Sequence, residues 1–261
     1  MKVVILALAG GERAHLRDEE AQRNTWARNS HQIEIIWVHG SEEKNVRYLD
    51  RRLLVPIPEN YSNLLKKTIE ATRWIEDNLE YDFLIRSNVS SYFDIELLLN
   101  QMYKAPSREF VGGAFQYYKS AKKEVLEKFI NGAGIYMSRD VVKYLNEIKP
   151  ESFQGIPDDV AISRYLGQKY DLQSVSICNL CMTHFFYRAP QTRVKSQIRK
   201  RSIRTNWITP KRMHNVHSYY QSEKLINRSF QRIKLQMYEL LMLENPKEYA
   251  LRLWGEVKPK I

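Results

Sequence analysis

Two carboxylates stand side by side in Pro157-Asp158-Asp159-Val160, ahead of an apolar-periodic segment that runs to Leu166. A carboxylate in a cleft can take a proton from a hydroxyl. The same residues also suit a plain helix start, where proline fits the first turn and acids complement the dipole. Upstream, Asn131-Gly132-Ala133-Gly134-Ile135-Tyr136-Met137-Ser138 sets two glycines just before a short apolar strand. Glycines there serve a turn with positive φ, or a close approach of backbone to a ligand. Arg86 ends another apolar run and is followed by Ser87-Asn88-Val89-Ser90-Ser91, a set of neutral hydrogen-bonding groups. Between residues 193 and 204 lies a basic run of Arg193, Lys195, Arg199, Lys200, Arg201 and Arg204. Arginine forks and lysine ammonium groups suit phosphate oxygens, while a solvated charged surface is the competing reading.

The elements that must position these groups follow from apolar patterning. Residues 3–9 are apolar without alternation, as expected of a strand buried on both faces, and Gly10-Gly11 ends it. The same reading applies to 33–39, 53–56 and 81–86. Helical spacing is expected over 18–29, with Trp26 packing on the sheet, over 59–79 with Asn60 or Ser62 as cap, and over 95–103. Residues 41–50 read as a loop with a short helix, 110–114 as a strand running into a hairpin, and 119–127 as a polar loop. Ser138 is expected to cap the helix that follows, with Asp140 in its first turn. Strands over 172–178 and 183–188 are followed, from 222 onward, by amphipathic helix interrupted at Pro246. Strands alternating with helices predict an α/β chain with a mostly parallel sheet.

The 261 residues permit one large domain, or a domain with an appendage. A composition of 43% apolar and 27% charged residues is that of an ordinary globular chain. The net charge of +11 favours an anionic partner and does not choose between a nucleotide diphosphate, a nucleic acid and a phospholipid surface. The two cysteines, Cys178 and Cys181, form a C-x-x-C with His184 close behind. A structural zinc takes a full tetrahedral set, usually from two separated pairs, so reduced, buried thiols are expected, which fits a reducing compartment. His214 and His217 have no carboxylate between them, which speaks against a metal site there. The run at 3–9 is too short to span a membrane, and no segment reaches about 18 consecutive apolar residues, so no anchor is expected.

Taken in order, Gly132-Ala133-Gly134, Met137-Ser138-Arg139 and Pro157-Asp158-Asp159-Val160 resemble the core of the Fringe and β-1,3-galactosyltransferase-like enzymes, glycosyltransferase family 31. Arg23-Asn24-Thr25-Trp26 resembles the family's Arg-x-Thr-Trp segment near the nucleotide. Glu59-Asn60-Tyr61-Ser62-Asn63-Leu64-Leu65-Lys66-Lys67-Thr68 is similar to its Asp-x-Tyr-x-Asn-Leu-Thr-x-Lys-Thr helix. The resemblance, over about residues 1–190, implies a GT-A fold, a Rossmann-like, mostly parallel sheet flanked by helices; that domain is expected over 1–204, and the helical apolar period and basic charge beyond it read as an extension over 205–261. It implies inverting transfer of a hexose from a nucleotide sugar, a UDP-sugar by expectation, to a hydroxyl of a glycan acceptor. Asp159 maps onto the base, with Asp158 beside it. Gly10, Arg23, Asn60, Lys67, Arg86, Asn88 and Ser90 are expected on the donor side, joined by Arg193 and Lys195 from the basic run. Gly132, Ala133, Gly134 and Tyr136 are expected on the acceptor side.

The chain departs from the family after Arg86. Where the family places Asp-Asp-Asp or Asp-x-Asp to hold Mn²⁺, this sequence has Ser87-Asn88-Val89-Ser90-Ser91. Hard cations want carboxylate oxygens, so metal dependence is not expected, and His184 is left as the candidate ligand. The basic run would then supply the positive charge that a departing diphosphate requires. Action in the cytoplasm on a soluble or lipid-linked acceptor is expected, with membrane contact or homodimerisation through the C-terminal helices. Two rivals stay open. A basic chain with 16 tyrosines also has the composition of a nucleic-acid-binding protein, although no such motif is present and no nucleic acid is expected. The other is an inactive homologue that only binds sugar.

Overall fold

Strands covered on both faces need apolar side chains at every position, and the uninterrupted runs of the sequence meet that need. The computed structural model describes residues 1–27, 33–119, 126–175, 179–181 and 213–214. Its elements in chain order begin with β1 (Val3–Leu8), α1 (Arg13–Asn24), β2 (Ile33–Gly40), β3 (Arg47–Leu49) and β4 (Arg52–Val55). A 3-10 turn at Tyr61–Asn63 leads into α2 (Leu64–Asn78), followed by β5 (Phe83–Asn88), β6 (Ser91–Phe93) and α3 (Ile95–Lys104). The remainder is β7 (Val111–Lys119), β8 (Leu126–Ser138), α4 (Arg139–Leu145), a 3-10 turn at Pro150–Phe153, α5 (Asp158–Leu166), β9 (Leu172–Ser174) and β10 (Asn179–Cys181).

One sheet takes the order β3-β4-β2-β1-β5-β8-β7-β9, and β6 pairs with β10 apart from it. β4, β2, β1 and β5 run parallel, in the 3-2-1-4 order of doubly wound α/β sheets. β8 lies antiparallel to both β5 and β7, while β9 is parallel to β7. The fold class is therefore α/β, with a mixed, mostly parallel sheet.

Alternate residues of each central strand face opposite layers. Val3, Ile5 and Ala7 pack with Ala21 of α1, with Trp26 just after that helix, and with Leu98 and Met102 of α3. Val4, Leu6 and Leu8 pack with Leu65, Ile69 and Ile75 of α2, Val141 and Leu145 of α4, and Ala161 and Leu166 of α5. Trp26 is buried against the sheet, as expected, with its ring edge-on to Phe93 at 5.1 Å. Met213, from beyond residue 204, is fully buried in the first of these layers. The domain boundary at 204/205 and the rest of the C-terminal extension lie outside the described residues.

Several local expectations are corrected. α1 starts and ends earlier than the 18–29 expected, because the chain turns into helix directly after Gly10-Gly11-Glu12. The loop expected at 41–50 closes with β3, which returns on β4 through Asp50 and Arg51, both at positive φ (49° and 61°). That is the twist a two-residue hairpin prefers. Gly132 and Gly134 do not form a turn. They lie inside β8, a 13-residue strand, opposite a register shift between Gly113 and Phe115. Ser138 makes no cap bond; its hydroxyl accepts from Phe110 N (3.0 Å) and donates to Asp140 Oδ1 (2.6 Å).

A buried carboxylate ties α1 to β2 and β4. Glu19 accepts from Arg23 Nε (2.9 Å) and Arg52 Nε (2.7 Å) on one oxygen, and from His39 Nε2 (2.8 Å) on the other. Burial alone would raise its pKa; the hydrogen bonds from His39, Arg52 and Arg23 outweigh burial and hold it at about 2, against an ordinary 4.5. A group whose folded pKa is depressed contributes stability above its unfolded pKa and loses it as pH falls through the folded value. Urea midpoints should therefore fall as pH drops from about 5 towards 2. Glu19→Gln should remove that part of the profile; a variant with the parent profile would show that other acids govern it.

Candidate functional site

In open α/β sheets the ligand crevice lies beyond the carboxyl ends of the strands, where the strand order reverses. Here that point falls between β1 and β5, whose ends are in register at Leu8 and Asn88. Val89 N bonds back to Leu8 O (3.0 Å), which holds the two strand exits together. At this edge the chain leaves β1 through Ala9 and Gly10. A Cβ on Gly10 would stand 2.5 Å from His15 Nδ1, so a side chain there would push the His15 ring aside.

β5 brings Arg86 to the same edge with only 2% of the residue exposed. Its Nη2 donates to Asp158 Oδ2, and its Nη1 to Gly132 O and to Asn88 Oδ1 (2.9 Å). One guanidinium thus joins β5, β8 and the first residue of α5. Asp159, next along α5, accepts from Gly132 N at Oδ2 (3.0 Å) and from Val160 N at Oδ1 (3.0 Å). Gly132 therefore offers its carbonyl to the arginine and its amide to the acid. A Cβ there would lie 2.3 Å from Arg86 Nη1 and 3.1 Å from Asp159 Oδ2, which explains the glycine. Ala133 is fixed at both ends: its N donates to Asn131 Oδ1 (2.8 Å) and its O accepts from Ser91 Oγ (2.9 Å). Ser163 Oγ accepts from Ile130 N (2.9 Å), so α5 is docked on β8 a turn further along. Arg86 Nε and Ser87 Oγ are buried without a hydrogen-bond partner among the described residues.

On the other side of β1, Lys67 of α2 is 2% exposed and donates to Ala9 O (2.5 Å) and to both oxygens of Glu59 (3.1 and 2.9 Å). Burial lowers the pKa of this ammonium, opposed by its pairing with Glu59. The charges of Arg86 and Asp158 also act on it, so the two clusters share one electrostatic field. Glu59 Oε1 further accepts from Gly40 N (2.5 Å), where β2 ends.

Of the residues expected at the site, the structure brings together Gly10, Lys67, Arg86, Asn88, Gly132, Ala133, Asp158 and Asp159, and it sets Gly134 beside Gly113. Ser90 lies in the turn between β5 and β6. Three others are committed elsewhere. Arg23 pairs with Glu19 and with Asp50 (3.1 Å) and stacks 4.0 Å above the Trp37 ring. Asn60 caps the 3-10 turn, its Oδ1 accepting from Asn63 N (2.9 Å) and Ser62 Oγ (2.6 Å). Tyr136 is 1% exposed in the core, because strand alternation turns it away from the face that Ile135 and Met137 occupy. His184, Arg193 and Lys195, with the rest of the basic run and Cys178, lie outside the described residues. Sequence reasoning missed Glu59 and His15. Glu59 carried a signal as the acid opening the 59–68 element, but spacing alone did not show that it meets β2.

The residues described here do not fit a divalent cation. Where β5 ends, Ser87 is fully buried and the Asn88 amide oxygen is taken by Arg86. Asp158 is paired with the same arginine, and among the described residues no three His, Cys, Asp or Glu side chains gather as a metal site. A fixed guanidinium occupies the ground where carboxylates would have to converge.

No protein-family model and no curated protein matches this chain. Among solved structures it is similar to A197 from STIV, at 14% identity over 67% of this chain and 82% of that one, with a TM-score of 0.38. It is also similar to the inositol-1-phosphate CTP transferase from T. maritima (10% identity, 66% and 84% of the two chains, TM-score 0.41). The apo-form glycosyltransferase GlyE of Streptococcus pneumoniae TIGR4 aligns at 12% identity over 66% of this chain and 44% of its own, with a TM-score of 0.38.

The Arg86–Asp158 pair makes a stability prediction. Arg86→Met alone leaves a charged Asp158 buried, at an expected cost of about 3–5 kcal/mol in urea unfolding. Adding Asp158→Leu should recover part of that loss, as apolar replacement of a whole buried pair does. Additive effects in this double-mutant cycle would show that the two groups act independently.

Proposed function

We propose that this chain transfers a sugar from a nucleotide sugar to a hydroxyl group of a glycan or lipid-linked acceptor, on a fold of the GT-A type. The observation that carries the reading is the convergence of Asp159, Gly132 and Arg86 at the crevice end of β5. A backbone amide holds the carboxylate, and a buried cation stands in the same cluster.

In this mechanism Asp159 takes the proton from the acceptor hydroxyl as the acceptor oxygen bonds to the anomeric carbon. The bond from that carbon to the diphosphate oxygen breaks on the opposite face, which inverts the configuration. The leaving diphosphate carries away the electron pair and gains negative charge. Positive charge stabilises it, supplied on this reading by the basic run around Arg193 and Lys195, while the sealed Arg86 holds the geometry of the site. Asp158 keeps Arg86 in place. Gly132, Ala133 and Gly134, in the stretch of β8 beyond its pairing with β5, stand on the acceptor side in this reading. UDP is the donor nucleotide on this reading, and the protein works in the cytoplasm. Its basic C-terminal segment provides contact with a membrane surface or a second copy. No helix among the described residues is long and apolar enough to cross a membrane.

Asp159→Asn should lower transfer by ~10²–10⁴-fold while leaving the affinity for the donor nearly unchanged, measured by product formation and by titration calorimetry. Parent-rate transfer by the variant would reduce Asp159 to a helix-start acid. Wild-type protein that binds the donor without turnover on any acceptor would be the sugar-binding homologue instead.

Transfer should also persist in EDTA, because the carboxylates a cation would need are already engaged. Activity abolished by EDTA and restored by Mn²⁺, with His184→Ala reproducing the loss, would assign the metal to His184.

A further inference from the structure

The nucleotide half of the crevice holds a carboxylate that the transfer chemistry does not use. Glu59 sits between the exits of β1 and β2. Its Oε1 accepts from Gly40 N (2.5 Å) and Lys67 Nζ (3.1 Å), and its Oε2 from Lys67 Nζ (2.9 Å). Lys67 is sealed at 2% side-chain exposure, but the Glu59 side chain is 27% exposed, so the pair is closed on the protein side and open on the other. A carboxylate has about four acceptor positions. Three are filled, and the spare capacity lies on Oε2.

That oxygen faces Gly10: a Cβ there would be 3.7 Å from Oε2, and one on Gly11 would be 3.9 Å from Glu59 Cγ. The backbone leaving β1 therefore carries no side chain between Glu59 and the crevice. A Cβ on Gly40 would strike Ile57 O at 2.3 Å and the Glu59 carboxyl carbon at 3.1 Å, so that wall too is set by glycine. A fixed acid beside a glycine turn, at the carboxyl ends of the first two parallel strands, is placed to accept from a sugar hydroxyl of a nucleotide. Nothing else among the described contacts uses the open oxygen.

We infer that Glu59 is a specificity residue that accepts a hydrogen bond from a ribose hydroxyl of the donor nucleotide, so that the site selects ribonucleotides over their deoxy forms. The inference rests on the nucleotide-sugar reading. Lys67 is then a positioning residue: it orients Glu59 and ties it to Ala9, and it does not itself touch the diphosphate.

The test is titration of the full chain with UDP, 2′-deoxy-UDP and 3′-deoxy-UDP, repeated with the cytidine and guanosine series. Wild-type protein should bind one deoxy form at least about tenfold more weakly than the ribonucleotide, as expected when a charged acceptor is left unpaired. Glu59→Gln keeps the shape and weakens the acceptor, and should narrow that ratio at least about threefold. A thermal melt checks that the variant is folded, and the wild-type comparison stands without it. Equal binding of ribo and deoxy forms by the wild type overturns the inference and leaves the donor reading intact. So does an unchanged ratio in a folded Glu59→Gln protein. Failure of the wild type to bind any of these nucleotides overturns both.

Discussion

The arrangement at the crevice depends on one buried contact set: the Arg86 guanidinium held between Asp158, Asn88 and Gly132 O. A charge in a low-dielectric interior is tolerated only when paired and hydrogen-bonded, and here three elements must come together to satisfy it. β5 carries the cation, α5 the counter-charge and β8 the carbonyl. Displacing any one leaves a buried charge or an unpaired peptide group, so the cluster specifies where α5 sits on the sheet. Asp159 inherits its place from this. It follows Asp158 on the helix, and Gly132, already held by Arg86, supplies the amide that holds Asp159.

A second set of contacts does the same for the opposite wall. Lys67 reaches from α2 to Ala9 O and to Glu59, and Glu59 reaches Gly40 N, so the exits of β1 and β2 and the entry of α2 share one pair of charges. The two sets are different in kind. Arg86 and Asp158 are both nearly sealed, which suits a role in holding geometry. The pair of Lys67 and Glu59 is open on one oxygen, which suits a role in contacting a ligand. Both walls rely on glycine at positions where a side chain would strike a neighbour, Gly132 on one and Gly10 on the other.

The Glu19 cluster shows the same pairing of buried charge. One carboxylate answers His39, Arg23 and Arg52, and the Trp37 ring beside it is covered by the Arg23 guanidinium and bonded through Nε1 to Gln22 Oε1 (2.7 Å). Arg23 is held in place by this network, and Gln22 beside it reaches the start of β6, past the turn after β5, donating to Ser91 O (2.9 Å).

The sequence by itself determined the class of fold. Uninterrupted apolar runs at β1, β2, β4 and β5, separated by the helical period of α2, leave little choice but a parallel sheet covered on both sides. It also pointed to Arg86, Asn88, Gly132 and the two acids, through the resemblance of the segments that carry them. Tertiary structure alone decided how these residues act. Whether Gly132 is a turn or a strand residue depends on the strand that runs through it, which pairs with β5 from Ile135 to Ser138 and with β7 on either side of the glycines. Whether Asp158 or Asp159 is held by the arginine depends on the angle at which α5 meets β8. Arg23, Asn60 and Tyr136 were plausible as ligands by residue type, and packing gave each another partner. Conversely, Glu59 became a ligand candidate only when β2 ended beside it. Residue types and their spacing report which groups can be paired; the pairing itself joins residues many tens of positions apart, and only the folded chain chooses among the possible partners.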